Sequence, residues 1–465
     1  MNLYLVLLLG YSLLQVGLGL WLSRRVRSSG DFFVAGRSLG PGLLFGTLIA
    51  ANIGAGSTVG ATGLGYKDGL AAWWWVGAAG FGSLLLARTV GPRMRAVAAE
   101  QKLSTVGDYL EWRYHESVRG TISLLLWVGT LAILAGQLIA LAWILNVVAA
   151  IPKPLGCLIG GAVVTTYFSA GGLHSSARVN ILQASVKFLG FALALPLVLE
   201  RAGGWSALRA AVPPTDSYWN FFAGGASGWH YVALLSPAFV VSPGILQKIY
   251  GARDGRAVRL GVTTNALVLL AYAIVPPVLG IATRALHPGL DNPELALPTL
   301  LVQDVPLWIG AIGLAAVFSA EVSAADAILF MLSTSLSQDL YRRFVNPGAS
   351  DKQGLRVARL AAIGGGAVAV GLAIVSPSVI GVLSIFYSLL GVSLFVPIVA
   401  GLYVKRAGTA EALSAIAAGV AGLLAVHFLT GGKGFGILTP ALAGLVAAAV
   451  ACSVRLLARR SARAA

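Results

Sequence analysis

The chain carries only two cysteines, Cys157 and Cys452, and five histidines, His115, His174, His230, His287 and His427, scattered over 465 residues. Two cysteines within or at the edge of apolar runs hold no disulfide framework, and histidines without ligand spacing hold no metal cluster or metalloenzyme centre. Charge is scarce as well. Asp, Glu, Lys and Arg make up 11% of the residues against 57% hydrophobic ones, and the mean hydropathy is +0.83. That balance excludes a soluble globular domain. The longest polar connections, 88–120, 200–228 and 336–356, are too short for an independent core. A membrane-embedded enzyme would need His, Asp or Glu gathered near one face, and they are not gathered, so no enzyme and no cofactor are expected.

What is present is a series of apolar stretches of bilayer length. We read thirteen, among them 41–63, 70–87 and 155–170, and therefore an all-α polytopic membrane protein with its termini on opposite sides. The formal charge of +16 then becomes a topology signal. With the N-terminus outside and the C-terminus inside, only Lys67, Lys153, Arg201, Arg209, Arg284 and Lys433 face outward. Lys187 belongs to neither side. The remaining cations, including Arg24, Arg25, Arg27, Arg342 and Arg343, fall on internal loops and the tail. A nucleic-acid partner is not expected; the tail Arg455–Arg463 suits anionic lipid. The first apolar run has its arginines after it, the reverse of a cleavable signal peptide, and reads as an anchor in the cytoplasmic membrane. In loop 88–120, residues 104–114 suit a short amphipathic helix at the interface, with Asp108 and Glu111 as solvated residues.

Two runs are interrupted. Between Phe45 and Trp75 lie Gly54, Gly56, Gly60 and Gly63 with Asn52 at the centre, and the run from Ser236 to Lys248 contains Pro237, Pro243 and Gly244. Helices that unwind at mid-membrane expose backbone to a ligand, and a pair of them five spans apart is the trace of an inverted repeat with its site at the midplane. The alternative for the glycines is close helix packing. Substrate candidates by depth are Asn52, Ser57, the run Trp73, Trp74 and Trp75 with Trp74 at its centre, Gln137, Ser242 and Tyr387. Gln137 is explained equally well by an interhelical hydrogen bond, and the tryptophans by an interfacial belt.

The run Phe318–Ile328, ending at Ser337-Gln338-Asp339-Leu340-Tyr341-Arg342-Arg343, resembles the sodium:solute symporter family. Asp31–Leu39, Ala50–Gly63, Gly171-Gly172-Leu173 and Leu246-Gln247-Lys248 match it in order, so that the resemblance covers most of residues 1–400. It implies a LeuT-type core of two inverted five-helix repeats. Residues 1–40 would then be an anchor helix and cytoplasmic loop, 41–404 the ten-helix core (41–200 and 228–404), and 405–465 two added helices with a basic tail. The implied function is symport of a small organic solute with sodium. The implied cation ligands are the carbonyls of Ala50, Ile53 and Ala320 and side chains at Ser323 and Ala324.

The chain departs from that pattern. Ala324 lacks a hydroxyl, and Asn180 stands where many relatives have Asp. Lys187 lies two turns deeper than Asn180, where an unpaired ammonium is expensive. Lys187, Glu321 and Asn180 are therefore coupling candidates. The alternatives are a proton-coupled or sodium-independent carrier in which Lys187 replaces the sodium ion, a purely structural Lys187–Glu321 pair, or a transporter-like solute sensor working through a separate protein. Substrate and oligomeric state are not legible.

Overall fold

The computed structural model describes residues 3–23, 35–169, 173–212, 216–223 and 228–461. The first arginine cluster, Asp31–Val34, Gly171-Gly172 and Pro213-Pro214 lie outside them. The described chain is helical, and its longer helices in order are α1 (Leu3–Ser23), α2 (Pro41–Asn52), α3 (Val59–Asp68), α4 (Trp73–Arg88), α5 (Val90–Glu100), α6 (Val106–Arg113), α7 (Glu116–Ala149), α8 (Lys153–Ser169), α9 (Leu173–Arg201), α10 (Tyr231–Val241), α11 (Pro243–Tyr250), α12 (Gly255–Tyr272), α13 (Val275–Leu286), α14 (Leu307–Thr334), α15 (Asp351–Val375), α16 (Val379–Tyr403), α17 (Thr409–Thr430) and α18 (Pro440–Ser461).

Among the described residues ten helical runs are long and apolar enough to cross a bilayer. The remaining expected spans correspond to shorter pieces. The run expected at 41–63 is divided into α2 and α3, and that expected at 155–170 is the 17-residue α8. The protein is a multi-pass helical membrane protein.

Both interruptions follow from backbone chemistry. α2 ends at Asn52, Ile53 and Gly54 are extended, a single 3₁₀ turn covers Ala55–Ser57, and α3 resumes at Val59. A Cβ on Gly54 would stand 2.5 Å from Ala324 Cβ and 2.7 Å from Gln137 Oε1, so glycine is what lets the unwound segment lie against α7 and α14. The second break is at Ser242, extended at ψ 121°, where Pro243 cannot donate to the preceding turn and instead opens α11.

At one end of the bundle, α6 is more than an interfacial helix. Thr105 and Asp108 form a reciprocal capping box at 2.9 Å each way. The one-sided face of α6 is buried against α7, with Tyr109 fully enclosed. Asp108 and Glu111, expected to be solvated, both pair with Arg119 of α7 at 2.9 Å. Arg119 also reaches Asp339 at 2.8 Å on a π-helical turn, Ser335–Val345, that continues α14. Partial burial pushes the Glu111 carboxyl up, but Arg119 and Arg343 together hold it below its ordinary value.

Candidate functional site

The broken segments, α14 and α9 converge at mid-bundle. Lys187 projects from α9 and is 1% exposed. Its Nζ donates to the carbonyls of Ala50 and Ile53, both at 2.9 Å, and to Ser323 Oγ at 2.7 Å. An ammonium has three N–H donors, and all three are used. The Ser323 hydroxyl lies within reach of the Ala50 and Ala320 carbonyls at 2.9 and 3.1 Å. The break thus provides what a continuous helix could not, a carbonyl at Ile53 with no helical donor, and Lys187 fills it.

The Lys187–Glu321 pairing considered above is not a direct hydrogen bond. Glu321, fully buried, accepts from Thr58 Oγ1 at 2.7 Å, and its Oε2 has no hydrogen-bond partner. Thr58 in turn lies 3.0 Å from the Gly54 carbonyl. Glu321 therefore contacts the break through Thr58, one turn from where Lys187 does. Ala324 packs on Gly54, and the Asn180 side chain lies outside the described residues.

Beside this cluster is a cavity of about 80 Å³ lined by both breaks and by α4, α7, α14 and α16. Asn52, Ser57, Gln137, Ser242 and Tyr387 border it. Several are already engaged. Asn52 Nδ2 donates to Asn265 Oδ1 at 3.2 Å, the Gln137 amide oxygen accepts from the Ala55 N–H at 2.9 Å, and Ser57 Oγ accepts from the Gly54 N–H at 3.1 Å. Gln137 therefore caps the unwound segment. Trp74 is not among the lining residues; its indole donates to the Phe221 carbonyl at 2.9 Å. Its neighbour Trp75 lines the cavity instead, edge-on to Tyr231 and Tyr387 with ring centroids 4.9 and 6.1 Å away. Position along a helix decides this, since adjacent residues point about 100° apart.

Tyr231, which packs on Trp75, also borders a wider cavity of about 910 Å³ together with Glu294 and Ser384. Glu294 ties this wall together by accepting from Trp143 Nε1 at 3.0 Å and from the Val379 N–H at 2.6 Å. Burial pushes its carboxyl above the ordinary range. Neither Lys248 nor Asp326 is marked by the sequence as a site residue; Lys248 lines the smaller cavity, and Asp326 of α14 is 6% exposed.

A helical membrane bundle with two interrupted helices around a mid-bundle cavity is the architecture of a secondary active solute transporter. The chain belongs to the sodium:solute symporter family, whose sequence profile matches residues 32–419. It is 29% identical to the sodium/pantothenate symporter of Escherichia coli K12, covering 89% of this chain and 88% of that protein. It is 24% identical to the sodium/glucose cotransporter of Vibrio parahaemolyticus, over 76% of this chain and 71% of that one. A solved structure of a Na⁺-coupled sialic acid symporter, substrate-bound and outward-open, shares the fold with a TM-score of 0.83 at 19% identity, covering 97% of both chains.

Proposed function

We propose that this transporter carries a small organic solute across the cytoplasmic membrane by alternating access, with the Lys187 ammonium standing where its relatives bind sodium. The observation that carries the reading is the triple donation of Lys187 to Ala50, Ile53 and Ser323, three of the positions to which the family resemblance assigns the ion. A fixed charge of the same sign bonded to those oxygens leaves little reason for an external cation to enter. Transport would then proceed without sodium, as exchange or coupled to a proton. The thirteen-span topology with the N-terminus outside, and the two inverted repeats at 41–200 and 228–404 with 1–40 and 405–465 as additions, belong to the same proposal. They are supported by the placement of one break in each repeat.

Sodium symport is the second reading, favoured by the sodium-coupled pantothenate and glucose relatives. It requires Lys187 to leave its three acceptors when the ion binds. The test is uptake of a pantothenate-like or other radiolabelled solute into proteoliposomes, with external sodium replaced by N-methylglucamine. Uptake unchanged by the replacement supports the ammonium reading. Uptake that collapses without sodium overturns it and leaves the family's symport.

A further inference from the structure

The solute cavity has one charged side chain among its described lining residues, and it is a cation. Lys248 sits on α11, the short helix that starts at the second break, and is 3% exposed. Side chains on a helix lean toward its N-terminus, and the stem of Lys248 follows that rule. Its ammonium turns back along α11 and donates to the Gly244 carbonyl at 3.2 Å. The acidic residue whose charge acts on it is Asp326 of α14, which is not among the lining residues.

Three features therefore meet at the same wall of the cavity. The first is an ammonium with three donors and one long hydrogen bond, which in a buried site calls for a further acceptor. The second is the N-terminal turn of α11, where Pro243 and Gly244 precede the first intrahelical bonds and the helix dipole is positive. The third is open space in front of Gly244, where an added Cβ would meet nothing closer than Met331 Sδ at 3.6 Å. The rest of the lining, Trp75, Phe239, Ile328 and Leu383 among it, is apolar.

We propose that the solute is a small organic carboxylate whose anionic group binds at Lys248 and the first turn of α11, with its uncharged body against the Trp75–Phe239 side of the cavity. Choline-like cations are disfavoured by the same ammonium, and polyols by the few unengaged hydroxyl and amide groups that remain once Asn52, Ser57 and Gln137 have served the backbone and Asn265. The proposal rests on the chain being a solute carrier and not on the role given to Lys187.

The test uses the purified full-length protein in detergent. Thermal stabilisation is measured with pantothenate, lactate, pyruvate and proline, each beside its uncharged amide or alcohol, and with glucose and choline, in sodium and in N-methylglucamine buffers. At least one carboxylate is expected to raise the melting temperature where its uncharged analogue does not. Lys248→Gln should weaken that response at least tenfold, while Lys248→Arg, which keeps the charge, retains more of it. If Lys248→Gln does not fold, the carboxylate-against-amide comparison on the wild type and on Lys248→Arg carries the test. Stabilisation by glucose or choline alone, by a carboxylate and its amide equally, or by no member of the panel overturns the proposal. A carboxylate response that appears only in sodium buffer overturns the Lys187 reading and leaves this one standing.

Discussion

Replacing Lys187 with Ala removes an ammonium and about three methylenes from the centre of the bundle. The lost stem is worth about 2 kcal/mol at ~0.8 kcal/mol per buried methylene. The Ile53 carbonyl loses its donor, about 1–3 kcal/mol more, whereas Ala50 keeps the Ser323 hydroxyl within 2.9 Å. Against this, a buried ammonium no longer needs to be dehydrated, a relief of several kcal/mol. These opposed quantities are similar in size, so the variant's stability in a sodium-free buffer does not discriminate. The response to sodium does. The vacated position is surrounded by the Ala50 and Ile53 carbonyls and Ser323 Oγ, and an ion that binds there only in the folded state stabilises by about 2.7 kcal/mol at a hundred times its Kd. Melting curves at fixed ionic strength should therefore be insensitive to sodium for the wild type and shift upward with sodium for Lys187→Ala. Lys187→Arg should transport poorly, because a planar guanidinium cannot aim three donors at three converging oxygens. A wild-type protein stabilised by sodium as strongly as the variant would refute the reasoning.

Further outcomes follow from other parts of the site. Trp75→Ala should weaken solute binding at least tenfold in a binding titration, whereas Trp74→Ala, whose indole serves the Phe221 carbonyl away from the cavity, should leave it within about threefold; equal losses would count against the cavity as the solute site. Gly54→Ala should destabilise by about 1–3 kcal/mol and slow uptake, since its Cβ meets Ala324 Cβ at 2.5 Å, and adding Ala324→Gly should restore part of the melting temperature. Burial raises the Glu294 carboxyl above its ordinary value of 4.5, so between that value and the raised pKa the folded state binds more protons than the unfolded one and stability falls as pH rises through this window. Glu294→Gln should flatten that part of the pH–melting profile, and an unchanged slope would remove Glu294 as its origin.

The two breaks were legible because glycine and proline act locally: Gly54 and Pro243 disrupt a helix whatever surrounds them. The meeting of Lys187 with Ser323 came from ordered resemblance, since 136 residues separate them and spacing cannot bring them together. Where neither local chemistry nor resemblance speaks, the sequence is silent. Asp108 and Glu111 have the composition of a solvated helix face and stay partly exposed, but the cation that pairs with both, Arg119, and its further partner Asp339, 220 residues away, are set by tertiary packing. Trp74 and Trp75 are chemically identical in sequence, and only the rotation of α4 separates a residue serving a loop carbonyl from one lining the cavity. Lys248 read as part of a motif before a polar loop, because nothing in the sequence reports that its stem folds back toward Gly244.

The missing hydroxyl at position 324 and the presence of Lys187 have one explanation. A sodium ion gains by collecting as many oxygens as its shell allows, so Ala324 would be a loss to a sodium site. An ammonium has three directed donors and gains nothing from a fourth or fifth acceptor. Ala50, Ile53 and Ser323 already supply three, and the Ala320 carbonyl lies 3.1 Å from Ser323 Oγ rather than being bonded to Nζ. A side chain at 324 is then constrained by volume alone, because it faces Gly54 where even a methyl group is close. Alanine is the residue that this packing accepts, so Ala324→Thr should not create a sodium response while Lys187 is present. In the Lys187→Ala background the added hydroxyl should strengthen sodium stabilisation, provided the Gly54 segment can shift to admit it. A sodium response in Ala324→Thr alone would mean that the missing hydroxyl, and not the lysine, is what governs the site.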